Sequence, residues 1–171
     1  MANQSTLSLL LVAALAAGSA QAADISVEAG SSSESTTTLR AGAQWAFDSQ
    51  WYATETGHLS GYWDLGYTYW DGDDASSNHS VSFSPVLVYE FAGESVKPYL
   101  EFGIGAAVFS STELEDQRLG SAFQFEDRLG VGLRFGDQHD LGLRVYHYSN
   151  AGIKDPNDGV ENVTLRYRLS F

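Results

Sequence analysis

The sequence contains no cysteine and little positive charge. Its 171 residues include 9 Lys and Arg against 22 Asp and Glu, for a formal net charge of -13. Without cysteine, neither disulfide bonds nor thiolate metal sites are available. A strongly acidic chain also lacks the basic surface that non-specific nucleic-acid binding needs. The composition therefore argues against a disulfide scaffold and against a nucleic-acid partner.

Long apolar runs are missing after the first 22 residues. The early stretch LSLLLVAALAAGSA is apolar and leads into AQA at positions 20–22, which fits a signal-peptidase site although no Lys or Arg precedes the run. That run is too short for a spanning helix, and no later segment reaches the roughly 18 apolar residues of a transmembrane helix. We predict a cleaved secretory signal at residues 1–22 and a single exported domain at residues 23–171.

The exported part alternates between apolar and polar residues, with turn residues between the alternating runs. This period of two is typical of β-strands that have two different faces. It predicts an all-β domain of eight strands, at residues 24–30, 37–47, 58–70, 79–91, 97–110, 122–135, 140–149 and 160–171.

The two faces of these strands differ in chemistry. In the last strand Val163, Leu165 and Tyr167 alternate with Thr164 and Arg166. A water-soluble barrel turns its apolar face inwards, whereas a membrane barrel turns that face towards lipid. The polar face here carries glycines and charged side chains that can pair, and such a set can fill the narrow lumen of an eight-stranded barrel. The pattern favours an antiparallel up-and-down transmembrane β-barrel.

Two further features agree with a membrane barrel. Aromatic residues cluster near strand ends, in WDLGYTYW and QWAFDSQWY, as they do in interfacial girdles. The chain also ends in Phe171 after an alternating strand, which resembles the C-terminal signature of Gram-negative outer-membrane barrels. A soluble β-sandwich is the alternative fold.

The stretch VYHYSNAGIKDPNDGVEN, residues 145–162, contains the components of a hydrolytic triad. His147 and Ser149 share parity with the lipid-facing Val145, and Glu161 shares parity with Val163. Counting back from the C-terminus, the last strand rises by about 25 Å to Glu161, the height of the apolar band. All three side chains are therefore expected on the outer wall at the outer rim.

On that wall, Ser149 would be the nucleophile, His147 the general base and Glu161 the group that orients the imidazole. A site on the lipid-facing wall points to a substrate that never leaves the membrane. In the outer leaflet of a Gram-negative outer membrane, that lipid is lipopolysaccharide. A rim carboxylate and an aromatic-belt histidine without catalysis are the simpler alternatives.

The sequence also resembles a known family, the outer-membrane lipid A 3-O-deacylases (PagL-like). The resemblance covers the exported chain and is strongest in GYWDLGYTYW, FSPVLVYEFAG, FEDRLGVGLRF and HYSNAGIKDPNDGVE. It implies an eight-stranded outer-membrane barrel that removes the ester-linked acyl chain at position 3 of lipid A without a cofactor. The resemblance implies that the family's catalytic residues correspond to His147, Ser149 and Glu161. The family's two asparagines correspond to Asn150 and Asn157.

Four residues are candidates for supporting the reaction, and a fifth is a candidate for contacting the substrate. Asn150, Gly152 and Asn157 lie in turns that can offer hydrogen-bond donors to an oxyanion, although Asn and Gly favour turns in any case. Asp127 interrupts the apolar parity of its strand and is expected beside His147 or Ser149. Lys154 could contact a lipid A phosphate or only water. The sequence contains no metal-binding constellation, and the acidic loops lack the spacing of a calcium loop.

Three other functions remain as alternatives. The first is a structural or adhesive barrel, which would not need His147 or Ser149. The second is an acyltransferase, which would move the acyl chain to an acceptor. The third is a soluble ligand-binding barrel, which would not need lipid. Contact between protomers through the acidic loops, as in a homodimer, is a further open alternative.

Overall fold

Strands make up most of the computed structural model, which describes residues 23–72, 76–136 and 138–171. The signal peptide predicted at residues 1–22 lies outside the described residues. In chain order the strands are β1 (Asp24–Ser32), β2 (Thr37–Ala46), β3 (Trp51–Thr54), β4 (Gly57–Trp70), β5 (Asn78–Phe91), β6 (Val96–Phe109), β7 (Glu113–Leu114), β8 (Gln117–Arg118), β9 (Phe123–Phe135), β10 (His139–Ser149) and β11 (Val160–Leu169).

Eight of these strands form a closed antiparallel barrel. Neighbours pair in the order β2, β1, β11, β10, β9, β6, β5 and β4, and the pairing of β2 with β4 closes the sheet. Because the sheet is closed, each of the eight strands is paired on both sides within the barrel. A sheet can lie in lipid only when its backbone groups are hydrogen-bonded in this way. The predicted eight-stranded barrel is confirmed.

Three short strands lie outside the barrel and were not predicted. Strand β3 pairs with the start of β4, and β7 and β8 form a small hairpin between β6 and β9. The connections 33–36, 110–122 and 150–159 lie at one end of the barrel, here called the loop end, together with the end of β4 and the start of β5. The connections 47–56 and 92–95 lie at the other, the turn end, together with the end of β9 and the start of β10. In the described part of the chain, no helix is long and apolar enough to cross a membrane.

The outward face of the barrel is apolar on every barrel strand. Alternation with a period of two places one set of side chains on the outer wall, where large apolar residues stay exposed. This set includes Val27, Leu39, Leu65, Phe83, Phe102, Val131, Leu143 and Leu165. An exposed apolar surface of this extent fits contact with lipid rather than water.

The inward face forms a buried network of ion pairs. Arg144 contacts Glu101 and Glu28, each at 2.5 Å, and donates a hydrogen bond of 2.6 Å to the hydroxyl of Tyr62. Arg128 contacts both Asp64 and Glu126, at 2.8 and 2.6 Å, and Arg40 contacts the same two carboxylates, at 2.7 and 3.2 Å. Each buried charge thus has a partner, as burial away from water requires.

Apolar side chains close the lumen at the loop end. Trp70 packs against Phe109 and Tyr148, with both ring centroids at 5.5 Å, and Leu114 and Leu119 of the β6–β9 connection join the cluster. The expectation that the WDLGYTYW aromatics form a girdle is therefore wrong for Trp70. Its even position turns the side chain inwards, where it is fully buried.

Candidate active site

Strand pairing brings His147 and Glu161 together on the outer wall at the loop end. The two residues are directly opposite each other in the register of β10 and β11. Nδ1 of His147 lies 2.9 Å from Oε1 of Glu161, a hydrogen-bonding distance. The side chains are 44% and 54% exposed, so both remain open to the surroundings of the barrel. The expected proximity of these two residues is present in the fold.

Ser149 ends β10 and lies on the same face as His147. Residues two apart on one face of a strand are separated by about 6.8 Å along the strand. Among the described residues, no hydrogen bond joins the Ser149 hydroxyl to His147, whose Nδ1 is held by Glu161. Catalytic hydrogen bonds are often long or unmade before substrate binds.

Asp127 lies on the other side of the histidine. It faces His147 across the pairing of β9 with β10, so the imidazole has an acidic residue on each neighbouring strand. The expectation that Asp127 would lie beside His147 or Ser149 is met at His147. Of the two carboxylates, the one hydrogen-bonded to the ring is that of Glu161.

The side chain of Asn150 organises the loop that follows Ser149. It is fully buried, and Nδ2 donates to the carbonyls of Leu119 and Lys154 at 2.8 and 2.7 Å. Oδ1 accepts a bond of 3.3 Å from the amide of Lys154. Because both amide hydrogens are engaged with carbonyls, this side chain braces the loop and has no hydrogen left for a ligand.

The other two turn candidates are more accessible. The Asn150 amide donates to Oδ1 of Asn157 at 2.8 Å, which leaves the Nδ2 group of Asn157 without a hydrogen bond to the described residues. Gly152 has a φ of +75°, and a Cβ at its position would meet nothing within 4 Å. The backbone at Gly152 therefore borders open space that a ligand could approach closely.

The β6–β9 connection docks against this loop, a contact not foreseen from the sequence. The amide of Arg118 donates to Oδ2 of Asp158 at 2.9 Å, and the amide of Asp158 donates to the Arg118 carbonyl at 3.3 Å. Gly120 has a φ of +70°, and a Cβ there would lie 1.9 Å from the carbonyl oxygen of Pro156. The one local signal in the sequence was the glycine in RLGS, which does not identify a partner.

The site thus combines a hydroxyl, an imidazole and a carboxylate on the outward face of two neighbouring strands. Next to them, a braced loop offers an unused amide group and an open backbone. In the described residues, no group of three or more His, Asp or Glu side chains is arranged to hold a metal ion. The arrangement can support acyl transfer from an ester by a serine nucleophile.

Known proteins resemble this chain over much of its length. The family model for "Lipid A 3-O-deacylase (PagL)" matches residues 37–170. The lipid A deacylase PagL of Pseudomonas aeruginosa is 52% identical over 167 residues, which cover 95% of this chain and 96% of that protein. The lipid A deacylase PagL of Bordetella bronchiseptica is 40% identical over 110 residues, covering 63% of this chain and 61% of that one.

Solved structures agree with this relationship. The crystal structure of the outer membrane enzyme PagL superposes with a TM-score of 0.84 at 52% identity, over 86% of this chain and 99% of that one. A de novo designed transmembrane β-barrel superposes with a TM-score of 0.55 at 16% identity, over 90% of this chain and 98% of that one, which is a likeness of fold alone. The resemblance noted in the sequence is confirmed, and the chain belongs to the lipid A 3-O-deacylase (PagL) family of outer-membrane enzymes.

Proposed function

We propose that the protein hydrolyses the ester-linked acyl chain at position 3 of lipid A, with Ser149, His147 and Glu161 as its catalytic residues. Family membership supports the reaction. The observation that carries the assignment of residues is the hydrogen bond of 2.9 Å between His147 and Glu161, with Ser149 two residues along the same outward face.

In the first half of the reaction, the Ser149 hydroxyl attacks the ester carbonyl while Nε2 of His147 accepts its proton. Nδ1–H of His147 donates to Glu161, which holds the ring in the required tautomer and stabilises the imidazolium. Collapse of the tetrahedral intermediate breaks the bond to the sugar oxygen, which takes the proton from His147. The acyl chain is now bound to Ser149.

In the second half, a water molecule attacks the acyl-serine and His147 again transfers the proton. The products are a free hydroxyacyl acid and lipid A with a hydroxyl at position 3. The partial exposure of His147 and Glu161 lets water reach the acyl-enzyme from the loop end.

The negative oxygen of each tetrahedral intermediate needs hydrogen-bond donors. Gly152 offers a backbone amide beside open space, and Asn157 offers its Nδ2 group, so we assign the oxyanion contacts to these two residues. Asn150 supports them by holding the loop, because its own side chain is engaged with the carbonyls of Leu119 and Lys154. Asp127 supports His147 from β9.

The direction of the site sets the class of substrate. Strand β1 begins and strand β11 ends at the turn end, the periplasmic side in outer-membrane barrels of this kind, and the loop end then faces the outer leaflet. A lipid A molecule in that leaflet presents its ester to the outer wall while its chains stay among the apolar side chains of the barrel. Lipopolysaccharide and neighbouring outer-membrane lipids are then the partners of this surface.

Mass spectrometry of lipid A incubated with the refolded barrel tests the proposal. The wild type should remove one hydroxyacyl chain and release it as free acid, while Ser149→Ala and His147→Asn should each lose at least about 1000-fold in rate. His79→Asn is the matched control, because His79 also lies exposed at the loop end and its Nδ1 is 2.7 Å from the hydroxyl of Tyr67. Activity of His79→Asn should equal that of the wild type.

The products separate the alternatives. A new acylated acceptor in place of free acid would indicate an acyltransferase. Unchanged lipid A, with the barrel shown to be folded, would favour a structural barrel. Equal loss of activity in His79→Asn and His147→Asn would remove the support for the assigned base.

A further inference from the structure

Positive charge is distributed unevenly between the two ends of the barrel. Seven of the nine Lys and Arg residues either point into the lumen or, like Lys97, lie near the turn end. Arg118 and Lys154 are the two that fall in connections at the loop end. Both of these connections are next to the catalytic residues.

Docking of the two connections brings the backbones of Arg118 and Lys154 close to each other. Arg118 is tied through its amide and carbonyl to Asp158, four residues after Lys154. The Cβ position of Gly120 is 2.8 Å from the carbonyl oxygen of Lys154. The main chain of Lys154 is in turn bound by the side chain of Asn150, the residue that follows Ser149. The main chains of both residues are therefore tied to the loop that follows Ser149.

The side chains of these cations are available to a ligand. The Arg118 side chain is 68% exposed, and its Nε is 3.9 Å from Asp158, which is a long contact for an ion pair. Lys154 is exposed as well. The same two connections carry acidic residues, namely Glu113, Glu115, Asp116, Asp155 and Asp158. An anionic ligand would be repelled over much of this surface and attracted where the two cations lie.

We propose that Arg118 and Lys154 form a phosphate-binding subsite that takes the phosphate at position 1 of the glucosamine whose 3-O-ester is cleaved. The proposal rests on the proposed function and adds the group by which the substrate is held. Ester and phosphate belong to one sugar ring, so a ligand with its ester at Ser149 presents the phosphate a short distance away. Arg contributes a planar fork of donors for the phosphate oxygens, and Lys contributes a mobile point charge.

Binding of lipid A to the Ser149→Ala protein tests the subsite without turnover. Affinity is measured in detergent micelles for lipid A with both phosphates, lipid A without the position-1 phosphate, and lipid A without the distal phosphate. Arg118→Gln and Lys154→Gln should each weaken binding of the fully phosphorylated lipid about fivefold, the effect of one cation near an anionic lipid surface. Neither substitution should change binding of the lipid without the position-1 phosphate by more than about twofold.

Kinetics of the same substitutions in the active protein separate binding from chemistry. The subsite predicts a higher KM with kcat unchanged, because the phosphate contact is the same in the ground state and the transition state. Arg118→Lys should restore part of the affinity that Arg118→Gln loses. Lys97→Gln, which removes one charge near the turn end, is the matched control and should leave both KM and affinity unchanged.

The outcomes that overturn the proposal are distinct from failure of the proposed function. A loss that is equal on all three lipids would indicate disturbed loop docking, and a loss that disappears only without the distal phosphate would move the subsite to that group. If neither substitution changes the affinity, the subsite does not exist. If the wild type releases no acyl acid, the proposed function fails while the binding measurement still decides whether the phosphate is recognised.

Discussion

Replacing Asn150 with alanine tests whether this residue braces the 150–159 loop or acts on the substrate directly. The substitution removes three hydrogen bonds, two to the carbonyls of Leu119 and Lys154 and one from the amide of Lys154. It leaves the paired residues of β10 and β11 untouched. We therefore expect Asn150→Ala to loosen the 150–159 loop without unfolding the barrel.

The size of the effect follows from the number of bonds lost. A buried hydrogen bond contributes about 1 kcal/mol, so three bonds amount to about 3 kcal/mol of loop docking. At about 1.4 kcal/mol per factor of ten, the ratio of docked to undocked loop should fall by roughly 100-fold. Activity falls to the extent that the undocked state becomes populated, because undocking displaces the proposed oxyanion donors from Ser149.

Limited trypsin digestion measures this opening directly, because Lys154 lies within the loop and Arg118 within the connection that it contacts. Cleavage after both residues, followed by mass spectrometry of the fragments, should be faster in Asn150→Ala by up to about 100-fold. Asn162→Ala is the control, since Asn162 is buried in the lumen and accepts a bond of 2.9 Å from Thr38. Lower activity without faster cleavage would refute the bracing role and favour direct contact with the oxyanion.

Three further substitutions have expected outcomes. Glu161→Gln should lower kcat for acyl release at least about 100-fold in a folded barrel, because the His147 tautomer is no longer held. A near-normal kcat would contradict the proposed catalytic role of Glu161. Gly120→Ala should speed tryptic cleavage of the loop and reduce activity. The added Cβ would meet the Pro156 carbonyl, and an alanine in the left-handed conformation of Gly120 costs about 1–3 kcal/mol. Unchanged proteolysis would show that the docked contact is dispensable. Glu101→Gln should lower the free energy of unfolding in urea by about 3 kcal/mol, because buried Arg144 loses a charged partner. A loss of activity in the folded protein would contradict a purely structural role for the side chains in the lumen.

The barrel wall could be predicted from the sequence because its signal is local. A strand exposes alternate residues to lipid and lumen, so each short segment reveals its two faces without knowledge of its neighbours. The same parity would have identified Asp64 as a lumen residue, since it shares even positions with Gly66 and Thr68.

The proximity of His147 to Glu161 could also be predicted from the sequence. Both lie close to one loop on consecutive antiparallel strands, so the short connection restricts which residues can face each other. Parity then decides which side of the wall they share. The hydrogen bond itself could not be predicted, because a slip of the register by two residues would keep the parity and separate the side chains.

The docking of residues 110–122 onto residues 150–159 could not be predicted. These contacts join loops about thirty or more residues apart in sequence, and they use backbone amides and carbonyls as much as side chains. Backbone groups have the same chemistry at every residue, so they leave no pattern in the sequence. The proposed role of Asn150 changes for this reason, from an oxyanion candidate to a brace.

The architecture separates stability from catalysis. Among the described residues, buried ion pairs occupy the lumen, and Trp70 and its neighbours close it at the loop end. Those interactions hold β10 and β11 rigid, and rigid pairing keeps His147 and Glu161 in register on the outside. The remaining proposed groups come from loops whose docking is weaker and can be changed without disturbing the barrel. Substitutions in the lumen should therefore change stability first, and substitutions at the loop end should change substrate affinity or turnover first.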